Sequence, residues 1–308
     1  MGGENGGGRN ILDLPEDIVA NIFSSTSPRD SCRLSTVSSR FRDLLQSDVV
    51  WSRFLPSEFQ SIISESSDSP LLNRCSSKKQ LYLSLCDNPI IIEDGRKSFA
   101  LEKVSGKKSY MISARDLKIA WGDTPAYWRW ISNPDSRFGE VAELIGVCWF
   151  EISGKINIQL LSPATIYEAY FVFRSIGADR FEYHLAEVTV GLVGTEGRKL
   201  NVYLKGERGG DRRRFQLVMR SGLFRRSRIQ ELEGNFESDE VEYPRLREDG
   251  WIGVKLGEFF NKEGQNGELE ISILEVKGGF WKRGILVQGI EIKPINHSKQ
   301  TKVTNELL

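Results

Sequence analysis

Histidine is nearly missing from this chain: His184 and His297 are the only two in 308 residues. Imidazole-based acid–base or triad chemistry is thereby reduced to one candidate. His297 lies in a polar tail, and no serine or cysteine motif points to His184, which reads as a strand residue among Phe181, Tyr183 and Leu185. Cysteine is also sparse. Cys32, Cys75, Cys86 and Cys148 form no CxxC pair and have no histidine nearby. Metal-ligand spacing is therefore absent, and free thiols in a reducing compartment are expected, with no cofactor and no metal. No apolar run approaches the roughly 18 residues a membrane helix requires, so membrane insertion is not expected. The opening MGGENGGGRN has no apolar signal-peptide core and reads as a flexible tail over residues 1–10. Gly6 stands where a myristoylation signal wants a small polar residue. An excess of either charge is missing too, with 42 basic and 42 acidic residues. Global attraction to nucleic acid is thus excluded, and nucleic acid is not an expected partner.

What remains is an ordinary globular composition, 39% hydrophobic and 27% charged, with room for one large or two modest domains. Residues 11–56 pack four short helix signals into one run, ILDLPEDIVANIFSSTSPRDSCRLSTVSSRFRDLLQSDVVWSRFLP. Asp13 is a candidate cap for the first, with Pro15 in the first turn and Glu16 three residues on. Ser27, Pro28 and Asp30 repeat the device. Ser38 or Ser39 opens the third helix and Asp48 the fourth, which Pro56 stops. Leu14, Ile18 and Ile22 form one apolar stripe, and Leu34 with Val37 a second. Phe41, Leu44 and Leu45 form a third, and Trp51, Phe54 and Leu55 a fourth. Helices of about two turns bury little by themselves, so part of this surface is expected to meet a partner.

In this run the chain resembles the F-box, in its plant phloem-lectin-associated variety. Leu14–Pro15, Val37–Ser38, Phe41–Arg42 and Trp51 stand where that pattern wants them. The resemblance implies a Skp-type adaptor as partner, and through it a cullin, in a ubiquitin ligase whose F-box subunit selects the substrate and does no chemistry. Adaptor-binding candidates are Leu14, Pro15, Ile18, Ile22, Leu34, Val37, Phe41, Leu44 and Trp51.

A Ser-rich connector and one short helix, KKQLYLSLCDN, fill residues 57–88. From residue 89 to 295 the period changes to that of strands. SFALEKV, KSYMIS, VCWFEIS, KINIQLL, YEAYFVFRS, EYHLAEVTVGL, LNVYLK, FQLVMRS, WIGVKLGEFF, ELEISILEV and ILVQGIEIKP alternate apolar with polar residues or end on turn formers. Together they predict an all-β antiparallel sandwich of jelly-roll type following the small all-α unit, with a tail over 296–308. Six of the seven tryptophans lie here. Trp149, inside VCWF, and Trp251, after Asp249–Gly250, read as core. In WGDTPAYWRW a turn separates Trp121 from Trp128, and half-exposed indoles there serve either packing or ligand stacking.

SYMISARDLKIAWGDTPAYWRW, VAELIGVCWFEISGKI, YEAYFVFR, LREDGWIGVKLGEFFN and ILVQGIEIKP resemble the tobacco-agglutinin (Nictaba) or phloem protein 2 family, from about Phe99 to Pro294. The resemblance implies a lectin site for N-acetylglucosamine-containing glycans. Its two tryptophans fall on Trp121 and Trp128 and its first acidic residue on Glu258. The second falls on Gln265, an amide, and loss of one charge-assisted contact costs on the order of 1 kcal/mol. If YWRW is a strand, Trp130 shares a face with Trp128, so either indole could be the platform.

Two functions are therefore open for the β-domain: binding a glycan or glycoprotein, or binding a peptide with the sugar site lost. Glycoside hydrolysis needs two facing carboxylates, and only Glu258 is placed by a motif. Between Arg208 and Arg228 lie eight arginines. They form a nuclear-import signal, an RNA-binding strip or a solvated hairpin. A nuclear and cytoplasmic location is expected.

Overall fold

The computed structural model describes residues 14–179, 181, 185–204, 241–277 and 279–295. The Gly-rich opening, Asp13, His184, the arginine run with the expected strand FQLVMRS, and the C-terminal tail lie outside them. Two compact units emerge, one of residues up to 94 with 98–109 and from 294 onward, the other of 95–97 with 110–293.

The first unit is helical. Its elements are α1 (Glu16–Ser24), α2 (Pro28–Leu34), α3 (Ser39–Leu44), α4 (Asp48–Ser52), α5 (Phe59–Ser64), α6 (Leu71–Arg74) and α7 (Lys78–Asp87). Serine starts most of them. The Ser27 hydroxyl accepts the Asp30 N–H at 3.1 Å and donates to the Asp30 carboxylate at 2.8 Å. Ser38 accepts from Phe41 N–H and Ser77 from Gln80 N–H. Each such cap stabilises by about 1 kcal/mol. The residue before α1 is Pro15, and the expected cap Asp13 lies outside the described residues. One expected cap needs correction. For α4 the cap is Ser47, whose hydroxyl accepts Val49 N–H at 3.3 Å, one residue earlier than Asp48.

Displaced from its own helix end, Asp48 serves another. Its carboxylate accepts the Lys78 N–H at 2.7 Å, at the first residue of α7. Tyr82 of α7 then packs on Trp51 with ring centroids 5.2 Å apart, and Leu81, Tyr82 and Leu85 are buried. Phe23 of α1 meets Phe41 of α3 edge to face at 5.0 Å. The stretch expected to be a Ser-rich connector carries α5 and α6, with Ile63 and Leu71 buried.

Strands follow: β1 (Ile90–Ile92), β2 (Lys97–Leu101), β3 (Lys108–Ser113), β4 (Lys118–Ile119), β5 (Trp128–Ser132), β6 (Glu140–Leu144), β7 (Phe150–Asn157) and β8 (Thr165–Asp179). After these come β9 (Ala186–Leu192), β10 (Arg198–Val202), β11 (Val241–Glu242), β12 (Arg245–Leu246), β13 (Ile252–Asn261), β14 (Glu268–Glu275) and β15 (Arg283–Pro294). In the second unit one sheet runs β3-β15-β8-β13-β12, with the β5–β6 hairpin joined to β15 through β6. The other runs β11-β10-β9-β14-β7-β4. Pairing is antiparallel except between β10 and β11. The result is an antiparallel-dominated sandwich with no closed barrel.

Alternation fills the space between the sheets. β7 and β14 bury Phe150, Ile152, Ile156, Leu269, Ile271 and Ile273, while β8 contributes Phe171 and Phe173. The sheets approach closely where side chains are absent: a Cβ on Gly257, at a bulge in β13, would lie 3.1 Å from Val190 of β9. KINIQLL, expected as a strand of its own, is split. Its first residues extend β7, and the Asn157 side chain then accepts the Gln159 N–H at 2.9 Å and opens a 3-10 turn.

Candidate functional site

Both units leave large apolar side chains exposed. On α1 the amphipathic period sends Val19, Ala20 and Phe23 inward and leaves Ile18 and Ile22 43% and 40% exposed. Val37, after α2, and Val49 on α4 are also exposed, and Pro15 with them, while Leu14 and Leu34 are half-buried. Phe41, Leu44 and Trp51, expected among the docking residues, are buried and present no surface. Trp51 is committed further, because its indole N–H donates to the Leu45 carbonyl at 2.6 Å. These three hold the helices from behind.

In the β unit the two expected indoles part company. Trp121 follows β4 and is 48% exposed, with a backbone φ of 55°. Trp128 opens β5 and is 2% exposed; its N–H donates to the Ala120 carbonyl at 3.1 Å and its ring lies 6.3 Å from Phe150. With both face and N–H used inside the core, Trp128 has nothing to offer a sugar. Trp130 is half-buried, donates its N–H to the Gly122 carbonyl at 3.1 Å, and carries the Arg115 guanidinium 3.8 Å over its ring.

A left-handed backbone is costly for a bulky side chain and persists only where its surroundings enforce it. Here the carbonyls on either side of Trp121, those of Ala120 and Gly122, are each held by an indole of β5. Ala120 N–H donates to the Glu151 carbonyl at 3.0 Å and Thr124 N–H to the Trp121 carbonyl at 2.9 Å. Four hydrogen bonds thus fix a strained turn that sends its tryptophan outward.

The expected acidic partners stand elsewhere. Glu258 lies on β13 in register with Glu168 of β8, in the sheet opposite the one β4 belongs to. The Lys255 ammonium sits 2.5 Å from Glu258 and 3.0 Å from Glu168, and the Tyr170 hydroxyl donates to Glu168 at 2.8 Å. Burial would lower the Lys255 pKa, yet its bonds to the two carboxylates raise it, so a cation is held there. Glu258 therefore already has a fixed counter-ion. Gln265 is in the turn before β14, where its side-chain oxygen accepts the Lys262 N–H at 3.2 Å.

Around Trp121 the structure instead assembles aromatics that sequence reasoning assigned to the core or passed over. Tyr127 lies 5.8 Å from Trp121, and Trp281 lies 6.2 Å from Tyr127. Trp281 is 55% exposed, and Trp149, expected in the core, is 45% exposed. Trp251 is fully buried and donates to the Asp135 carbonyl at 2.9 Å, a structural role as expected.

Family models match both units: an F-box-like model over residues 11–57 and a phloem protein 2 model over residues 107–294. The chain belongs to the phloem protein 2 family of F-box proteins. Among Arabidopsis thaliana relatives it is similar to F-box protein At2g02240, 46% identical over 91% of this chain and 79% of the relative. It is 42% identical to F-box protein PP2-B1 over 91% of this chain and 89% of that one. F-box protein PP2-B10 is 43% identical over 91% and 93%. A carbohydrate-binding module solved with β-1,4-galactotriose aligns at a TM-score of 0.28 and 13% identity, over 58% of this chain and 88% of the module.

In this F-box–phloem protein 2 chain, then, Leu14 to Val49 supply an apolar helical surface, and the β unit supplies three exposed indoles. Indole and phenol faces attract C–H groups and cations, and their polar edges accept or donate hydrogen bonds.

Proposed function

We propose that this F-box protein is the substrate-recognition subunit of a Skp–cullin–F-box ubiquitin ligase. Its helical unit docks on a Skp-type adaptor, and through it a cullin, while its β unit holds an N-acetylglucosamine-containing glycan or glycoprotein. The carrying observation is that the helices expose Ile18, Ile22, Val37 and Val49, while the β unit exposes three indoles, those of Trp121, Trp149 and Trp281. Aliphatic Ile18, Ile22, Val37 and Val49 suit helix packing against a protein. An indole held outward at Trp121 suits a sugar ring. The chain acts as a receptor and performs no catalysis. It works in nucleus and cytoplasm, where a fluorescent fusion should be seen in both.

Co-purification of the full chain with a Skp-type adaptor tests the docking half. Ile18→Lys together with Ile22→Lys should weaken association at least about tenfold, since buried interface anchors each contribute more than 1 kcal/mol. Unchanged association would overturn the docking assignment. A glycan array tests the other half: no hit with the wild-type chain would overturn glycan recognition and favour a peptide target.

A further inference from the structure

We propose that the glycan platform of this β unit is the aromatic row Trp121–Tyr127–Trp281, extended by Trp149 and Glu151, and that it takes at least three rings of a linear β-linked oligosaccharide. This rests on the glycan reading of the β unit and relocates its site away from Trp128, Glu258 and Gln265.

All three of the exposed tryptophans among the described residues belong to this one patch. Two backbone links join its parts. Val147 and Lys282 form an antiparallel bridge, which sets Trp281 beside the Cys148–Trp149 segment. Ala120 bonds to the backbone of Glu151, which sets Trp121 beside the same segment. Centroid separations of 5.8 and 6.2 Å make each step of the row about the length of one pyranose ring. Successive rings are tilted by 59° and 43°, so neighbours in the row are not coplanar. Non-coplanar neighbours suit a β-linked chain, whose consecutive sugar rings turn about the chain axis.

The three indoles are also held in place. Trp121 is clamped by the indoles of β5 through the carbonyls on both its sides. The ring of Trp281 lies over Gly146, where an added Cβ would come 3.5 Å from its edge. Under that contact the Lys282 ammonium is buried, ion-paired with Glu275 and donating to the Cys148 carbonyl at 2.9 Å. Trp149 donates its N–H to the Glu151 carboxylate at 2.7 Å, which fixes the indole and leaves its faces open. The remaining acceptor capacity of Glu151 can take sugar hydroxyls. A helical protein partner would want aliphatic holes for its side chains, whereas this patch offers braced flat rings with a carboxylate at the rim.

Calorimetry of the full chain with N-acetylglucosamine oligomers of two to five rings tests this. Affinity should rise from the dimer to the trimer as the third aromatic is engaged. Trp281→Ala and Tyr127→Ala should each weaken trimer binding about three- to tenfold. Glu258→Gln and Gln265→Ala should leave it unchanged, and circular dichroism should show the same fold in all four. Binding that survives Trp281→Ala but falls in Glu258→Gln overturns the platform while sparing glycan recognition. Equal affinity for dimer and trimer overturns the three-ring row. No binding of any oligomer by the wild-type chain overturns the glycan reading, and the platform with it.

Discussion

Arg247 grips Glu291 with both ends of its guanidinium, at 2.7 and 3.2 Å, and Arg137 adds a third contact to the same carboxylate at 3.1 Å. Glu291 is on β15, whereas Arg137 precedes β6 and Arg247 follows β12. One buried anion therefore ties two connections to a central strand.

Burial would raise the Glu291 pKa, but the bonds and charge of Arg247, with Arg137 and Lys293, hold it down to about 2. Because the folded pKa is depressed, the stabilisation is complete above the ordinary carboxylate range and is lost as pH falls toward 2. A displacement of this size corresponds to about 3 kcal/mol. Urea unfolding of the β unit should show its steepest loss of stability between about pH 4.5 and 2. Glu291→Gln, which removes the charge that Arg247 and Arg137 share while leaving Arg247 its contact with Asp249, should cost about 1–3 kcal/mol at neutral pH.

Asp48→Ala should destabilise the helical unit by about 1 kcal/mol, because Lys78 N–H loses its acceptor at the start of α7. Asp48→Asn keeps an acceptor oxygen and should lose less. Thermal melts of the two variants would rank them.

Trp128 and Trp149 should answer truncation in opposite ways. Trp128→Ala opens a cavity against Phe150 and frees the Ala120 carbonyl, a loss of about 3–5 kcal/mol. Trp149→Ala removes a half-exposed ring and should change stability by no more than about 0.5 kcal/mol. Urea midpoints of both variants check the contrast.

Local chemistry made part of this structure legible. Ser27–Pro28–Asp30 and Ser38 are caps because hydroxyls reach only nearby N–H groups, and KSYMIS coincides with β3. Elements set by distant partners were not legible. β4, β11 and β12 are two residues long and exist through pairing with β7, β10 and β13, so no period marks them. Trp149 misled for a related reason: the alternation of β7 begins at Phe150, one residue after it. In the expected sugar site, Trp128 and Trp121 are equal as letters. Only the hydrogen bonds from β5 to the turn decide which indole goes in and which out.

The hydrogen bond from Asp48 to Lys78 and the ring of Tyr82 against Trp51 make the F-box run and α7 a single object. Tyr82 in turn donates to the carbonyls of Glu102 and Lys103, at 3.1 Å each. A recombinant fragment ending near Pro56 would strip Trp51 of its cover and leave an apolar wound on the adaptor-facing piece. Such a fragment should aggregate or bind adaptor only with chaperone help, whereas one carried through Ser109 should behave as a folded protein. Whoever isolates the docking half must cut by packing, well past the place where the sequence motif stops.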